Sequence, residues 1–90
     1  MEGSYNIYFV HLPSSIKLGY DSYSEFVAIA QTAAEARTLH PSSSVPLQWG
    51  EKRKEWVSYN ELPLLIVEKI GTAAKKYYQT QVICANFHAG

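Results

Sequence analysis

The alternation of apolar and polar positions divides the chain into four strand-like segments and one short helical segment. Residues 5–12 are rich in β-branched and aromatic side chains and end at Pro13, which predicts a strand. Both faces of that segment are apolar, which is typical of a central strand covered on two sides. The other segments with strand-like composition are residues 25–30, 64–70 and 82–87.

A capping box marks the start of the helical segment. Thr32 stands three positions before Glu35, so each side chain can accept a hydrogen bond from the backbone amide of the other residue. Residues 33–40 contain three alanines and are followed by Pro41, which predicts a short helix over this range. Residues 58–61 predict a single helical turn, and residues 72–81 predict a wide hairpin loop or one or two helical turns.

The element order is therefore ββαββ, which predicts one two-layer α+β domain over residues 1–90. One short helix would pack on a four-stranded, mainly antiparallel sheet. Because so short a helix leaves part of the sheet uncovered, aromatic loops or a second copy of the chain would have to shield the rest. A homodimer is therefore one expected arrangement.

Charge and hydropathy exclude several functional classes. Eight basic and eight acidic side chains cancel, which argues against direct nucleic-acid binding through a broad basic face. No apolar run approaches the roughly 18 residues of a membrane span, and the N-terminus lacks the pattern of a secretory signal. We expect a soluble, cytoplasmic protein that has no contact with a membrane.

The residue types needed for metal binding or covalent catalysis are sparse. Cys84 and His88 lie about 13 Å apart along an extended strand, too far for one metal ion, so we expect no metal and no cofactor. Only Cys84, His88 and Asp21 offer a set for nucleophilic catalysis, and Cys84 is better explained as a small buried hydrophobic residue. The sequence therefore predicts a protein that is not an enzyme.

Two clusters of aromatic and polar residues are the candidate binding residues. Tyr and Trp are enriched at protein–protein hot spots, and this chain has seven Tyr and two Trp in 90 residues. The first cluster would converge at one end of the sheet if the last strand pairs beside the first two: Tyr20, Asp21, Tyr23, Asn86 and His88. The second cluster is the tryptophan turn: Trp49, Lys52, Arg53 and Trp56. A solvated turn between two core tryptophans is the simpler interpretation of the second cluster.

Several motifs are spread over most of the chain. They are Gly-Tyr-Asp at 19–21, Ala-Arg at 36–37, His-Pro at 40–41, Ile-Gly-x-Ala at 70–73 and Phe-x-Ala-Gly at 87–90. As a set, they resemble a family of small bacteriophage and prophage proteins, although Ser24 stands where that pattern has an acidic residue. The resemblance implies a phage origin and a host protein as partner, and an inhibitor of bacterial immunity such as an anti-CRISPR protein as one expected role.

We therefore expect a non-enzymatic protein that binds a host protein through an aromatic-rich surface. The alternative is a sponge that sequesters a small nucleotide signal, with tyrosines and the backbone near Gly71 forming its pocket. A small hydrolase-like enzyme is the third possibility.

Overall fold

The structure, a computed structural model, describes residues 5–16, 22–42, 44, 46–47, 56–57 and 59–88. Six elements follow one another along these residues. They are strand β1 (Asn6–His11), strand β2 (Ser22–Ala30), helix α1 (Ala33–Arg37), the 3-10 helix η1 (Tyr59–Leu64), strand β3 (Ile66–Thr72) and strand β4 (Gln81–His88). Within these residues, no helix is long and apolar enough to cross a membrane.

The four strands form one sheet in the order β3-β1-β2-β4, and every neighbouring pair is antiparallel. The predicted α+β class, with a short helix on a four-stranded antiparallel sheet, is therefore confirmed. β1 occupies a central position, as its two apolar faces predict.

The connection between β3 and β4 differs from the predicted hairpin. Because these strands lie at opposite edges of the sheet, residues 73–80 must cross the end of the sheet, past β1 and β2. The Ala73 amide donates to the Tyr5 carbonyl at 2.9 Å, and the Tyr77 amide donates to the Ala74 carbonyl at 2.9 Å. The predicted helical turns do not form in this segment.

Helix α1 begins at Ala33, directly after the predicted capping residue Thr32, and is shorter than predicted. The Thr32 hydroxyl accepts from the Glu35 amide at 3.1 Å, and the Glu35 carboxylate accepts from the Gln31 amide at 2.8 Å rather than from the amide of Thr32. The helix ends at Arg37, because the next residues pair with a later segment: the Leu47 amide donates to the Thr38 carbonyl at 2.8 Å.

The start of β3 also differs from the prediction. The predicted strand began at residue 64, whereas residues up to Leu64 belong to η1 and β3 begins at Ile66. The single turn predicted near residue 59 is part of this longer 3-10 helix, which includes Pro63. Because proline fixes φ near the helical value and 3-10 helices occur in short segments, the turn continues through this residue before the strand starts.

One face of the sheet carries the hydrophobic core. Paired residues of neighbouring strands point to the same face, so Val10 and Phe26 lie side by side, as do Tyr8 and Ala28. Helix α1 and η1 cover this face and contribute Ala36 and Leu62 to the core. The buried cluster consists of Tyr8, Val10, Phe26, Ala28, Ala30, Ala36, Leu39, Leu47, Trp56, Val57, Leu62 and Leu65.

Candidate functional site

The first predicted cluster lies where the start of β2 meets the end of β4. Tyr20 and Asp21 lie outside the described residues. The register pairs Ser22 with His88, Tyr23 with Phe87 and Glu25 with Asn86, so the two strand ends lie side by side. The described residues of the first cluster therefore lie on two neighbouring strands.

The side chains of Tyr23 and Asn86 nevertheless point to opposite faces of the sheet. Tyr23 packs against the hydrophobic core, and its ring meets the ring of His40 edge-on, with centroids 6.2 Å apart. Asn86 is exposed and pairs with Glu25, which alternates with the core residue Phe26. A ligand on one face of the sheet therefore cannot contact both Tyr23 and Asn86.

The second predicted cluster is described only at Trp56, because Trp49, Lys52 and Arg53 lie outside the described residues. Trp56 is 2% exposed and packs edge-on against Phe26, with ring centroids 5.6 Å apart. This burial agrees with the core interpretation of the tryptophan and removes Trp56 from the residues that can contact a partner on the surface.

The prediction that Cys84 is a buried hydrophobic residue is wrong. Cys84 is exposed on β4, where it pairs with Val27. β4 is an edge strand, and the helices lie on the opposite face of the sheet from the side chain of Cys84. An apolar strand pattern does not distinguish an edge strand from a central one, which is why the sequence misplaced this thiol.

The face of the sheet opposite the core, called here the open face, is the feature that the sequence did not specify. Strand pairing and side-chain alternation assign eleven side chains to it: Ile7, Phe9, His11, Glu25, Val27, Ile29, Ile66, Glu68, Gln81, Cys84 and Asn86. Both described helices contribute to the core on the other side. Neither α1 nor η1 therefore covers this face. Ile29 on it is only 2% exposed, whereas four of its residues on the two edge strands are exposed: Ile66, Glu68, Cys84 and Asn86.

The open face is polar at one end and apolar at the other. Glu25 pairs with His11, and the His11 Nε2 lies 3.6 Å from an oxygen of Glu68. The His11 ring stacks on Phe9, with centroids 4.7 Å apart. Two carboxylates therefore border an apolar strip that begins at Phe9.

The two edge strands each carry an exposed isoleucine at a register irregularity. Ile70 is the extra residue of β3 opposite β1, and Ile83 is the extra residue of β4 opposite β2. They are 56% and 47% exposed, respectively. Bulges are common at sheet edges, where they interrupt the row of backbone groups available to another strand.

A cavity of about 410 Å³ lies between α1 and η1, away from the open face. Arg37, Thr38, Tyr59 and Asn60 are its polar lining residues. Leu62, which is 5% exposed and belongs to the core, contributes to its apolar lining. A Cβ atom at Gly71, near which the sequence placed a ligand pocket, would lie 3.7 Å from the Cδ1 atom of Ile7, an ordinary van der Waals contact.

The neighbouring residues His40 and Ser42 form a local contact. The Ser42 amide donates to His40 Nδ1 at 3.1 Å, and the Ser42 hydroxyl lies 2.9 Å from the same atom. Because the amide donates to it, Nδ1 is an acceptor in this contact. These bonds close the turn that follows α1.

Comparisons with family models, with curated proteins and with solved structures give no match to this chain. The resemblance to small phage proteins therefore stays a prediction from the sequence motifs.

Proposed function

We propose that this protein acts by binding another protein on its open face, without catalysing a reaction. The observation that carries this proposal is an apolar sheet face that neither described helix covers. Contiguous apolar patches at protein surfaces mark interaction sites, and such a patch runs across three neighbouring strands: half-buried Ile7, Phe9 and Val27 with exposed Ile66.

The charges of the open face favour a partner of different sequence. Glu25 and Glu68 lie at the same end, on either side of His11. A partner that presents apolar side chains with Lys or Arg at one end would match both the strip and this acidic end. Asn86, exposed beside Glu25 on the neighbouring strand, adds an amide donor to the same end.

A matched pair of exposed aliphatic residues tests the proposal. Ile66 is 39% exposed on the open face, whereas Leu64 is 55% exposed at the end of η1 and outside that face. Wild type, Ile66→Ser and Leu64→Ser are immobilised in parallel, and proteins captured from a bacterial lysate are quantified by mass spectrometry. We expect one protein to be retained by wild type and Leu64→Ser and lost with Ile66→Ser.

Two other outcomes contradict the proposal. If every captured protein binds Ile66→Ser as well as wild type, the open face is not the binding site. If wild type is a dimer by sedimentation and Ile66→Ser is a monomer, a second copy of the chain occupies the face instead of a foreign partner.

The acidic end is tested with the purified partner. Glu68→Gln should weaken binding, and most strongly at low salt, because surface charge pairs are screened at higher ionic strength. Lys69→Gln is the control, since Lys69 pairs with Tyr8 and so points to the other side of the sheet. Equal effects of the two substitutions would remove the electrostatic part of the proposal.

We further propose a component of bacterial immunity as the partner, bound in the host cytoplasm, on the basis of the phage-like motifs. Expression in a strain with active CRISPR immunity should raise the plaquing efficiency of a targeted phage. Ile66→Ser should abolish this protection and Leu64→Ser should retain it. Unchanged plaquing with wild type would reject this choice of partner and leave the binding surface to be judged by the capture experiment.

A further inference from the structure

We propose that the cavity between α1 and η1 binds a small anion that carries a planar ring, the chemistry of a nucleoside monophosphate. The site is separate from the open face. Its volume of about 410 Å³ lies within the range of ligand-binding pockets, which is about 300–1,000 Å³.

Arg37 supplies the cation. Its Nη2 lies 3.5 Å from the Leu65 carbonyl, at the outer limit of a hydrogen bond. Its Nε is buried without a hydrogen-bond partner, and among the described residues no carboxylate lies within ion-pair distance of the guanidinium. The buried Nε is out of reach of a ligand, so the Nη donors of the guanidinium, which can match phosphate oxygens in pairs, are the groups available to an anion.

Tyr59 and Asn60 supply the groups that recognise a ring. Tyr59 is half-buried, packs against the hydrophobic core and faces the cavity from η1. Nucleobases stack on aromatic side chains held in this way. Asn60 is exposed beside it, and its amide offers both donor and acceptor to the edge of a base.

The backbone holds these groups on two short, anchored elements. Thr38 caps the C-terminus of α1 and is fixed by its hydroxyl, which donates to the Glu35 carbonyl at 2.8 Å. Leu62 fixes η1 to the core, and the Leu65 amide donates to the Leu62 carbonyl at 3.1 Å. Arg37 and Tyr59 therefore reach the cavity from opposite walls whose positions are set by core packing.

The test is titration of the ¹⁵N-labelled protein with the four 5′-nucleoside monophosphates, 3′,5′-cyclic AMP, adenosine and inorganic phosphate. We expect at least one nucleotide to shift the amide resonances of α1 and η1, and to bind more tightly than adenosine or phosphate alone. Arg37→Gln should lower the affinity for that nucleotide about tenfold or more, because a charge-assisted hydrogen bond contributes at least that factor to binding.

Asn60→Asp provides a second variant, since Asn60 is exposed and its substitution leaves the core intact. It should weaken nucleotide binding by placing a negative charge at the cavity. Lys75→Gln removes an exposed cation outside the cavity and should bind as wild type does. Ile66→Ser should also bind normally, which separates this inference from the proposal for the open face.

Two results would overturn the inference. One is the absence of resonance shifts with every nucleotide at millimolar concentration. The other is a nucleotide affinity that neither Arg37→Gln nor Asn60→Asp changes while both variants keep the circular dichroism spectrum of wild type.

Discussion

Trp56 illustrates how a single side chain can change the interpretation of a surface. In the sequence it stands beside a charged run, a composition that suits a binding turn as well as a buried anchor. In the structure its ring is 2% exposed and contacts Phe26. The aromatic side chains that remain most accessible among those described are Tyr78 and Tyr77, which are 69% and 39% exposed.

The different roles of Trp56 and Tyr78 predict different effects on stability. Trp56→Ala should lower the free energy of unfolding by about 3–5 kcal/mol, because a buried aromatic ring is replaced by a cavity. Tyr78→Ala should change it by no more than about 0.5 kcal/mol, as is usual for exposed positions. Urea unfolding followed by circular dichroism measures both, and equal effects would contradict the placement of Trp56 in the core.

Helix α1 depends on its cap more than on its length. With five residues, it is too short to be stable alone, and packing of Ala36 in the core must hold it. The capping residue Thr32 orients its first turn through the Glu35 amide. Because Arg37 lies at the end of this helix, the cap also sets where the guanidinium enters the cavity.

The N-terminal cap of α1 predicts how substitutions at Thr32 change the stability of the protein. Thr32→Ala should cost about 1 kcal/mol, which is roughly 4–8 °C in Tm for a domain of this size. Thr32→Ser retains a hydroxyl acceptor and should restore most of that loss. Thermal unfolding of the three proteins measures the effect, and an Ala variant as stable as wild type would show that the capping bond contributes nothing.

The elements that the sequence predicted are those determined by neighbouring residues. The capping box spans four neighbouring positions, and the strand at residues 5–12 is apolar on both faces. The local sequence pattern therefore identifies each of these elements. The order of the strands depends on pairing between distant segments. The sequence therefore predicts either a wide hairpin loop or helical turns between β3 and β4, whereas these strands lie at opposite edges of the sheet. The bulges at Ile70 and Ile83 depend on the same pairing.

At the scale of the whole molecule, the strand order decides which surfaces are available. Placing β4 at an edge exposes Cys84, and placing both helices on one side leaves the open face without a helical layer. Because the predicted helix is short, the sequence indicated that part of the sheet is left uncovered. Which face of the sheet is uncovered follows only from the register of the paired strands. The cavity at Arg37 was not foreseen, because its two walls are separated by residues 39–58 and meet only in the folded chain.

The exposed thiol of Cys84 allows binding at the open face and binding in the cavity to be tested separately in the same protein. Cys84 lies on the open face beside Val27 and is the only cysteine, so maleimide-polyethylene glycol should label the native protein at this position alone. The attached polymer should block capture of the partner and leave nucleotide titration unchanged, because the cavity lies on the helical side.

A variant with Cys84→Ser and Ala33→Cys moves the label to the exposed start of α1, where partner capture should survive. Failure of native Cys84 to react would contradict its exposure, and equal loss of capture with both labels would show that the polymer acts by bulk rather than by covering the open face.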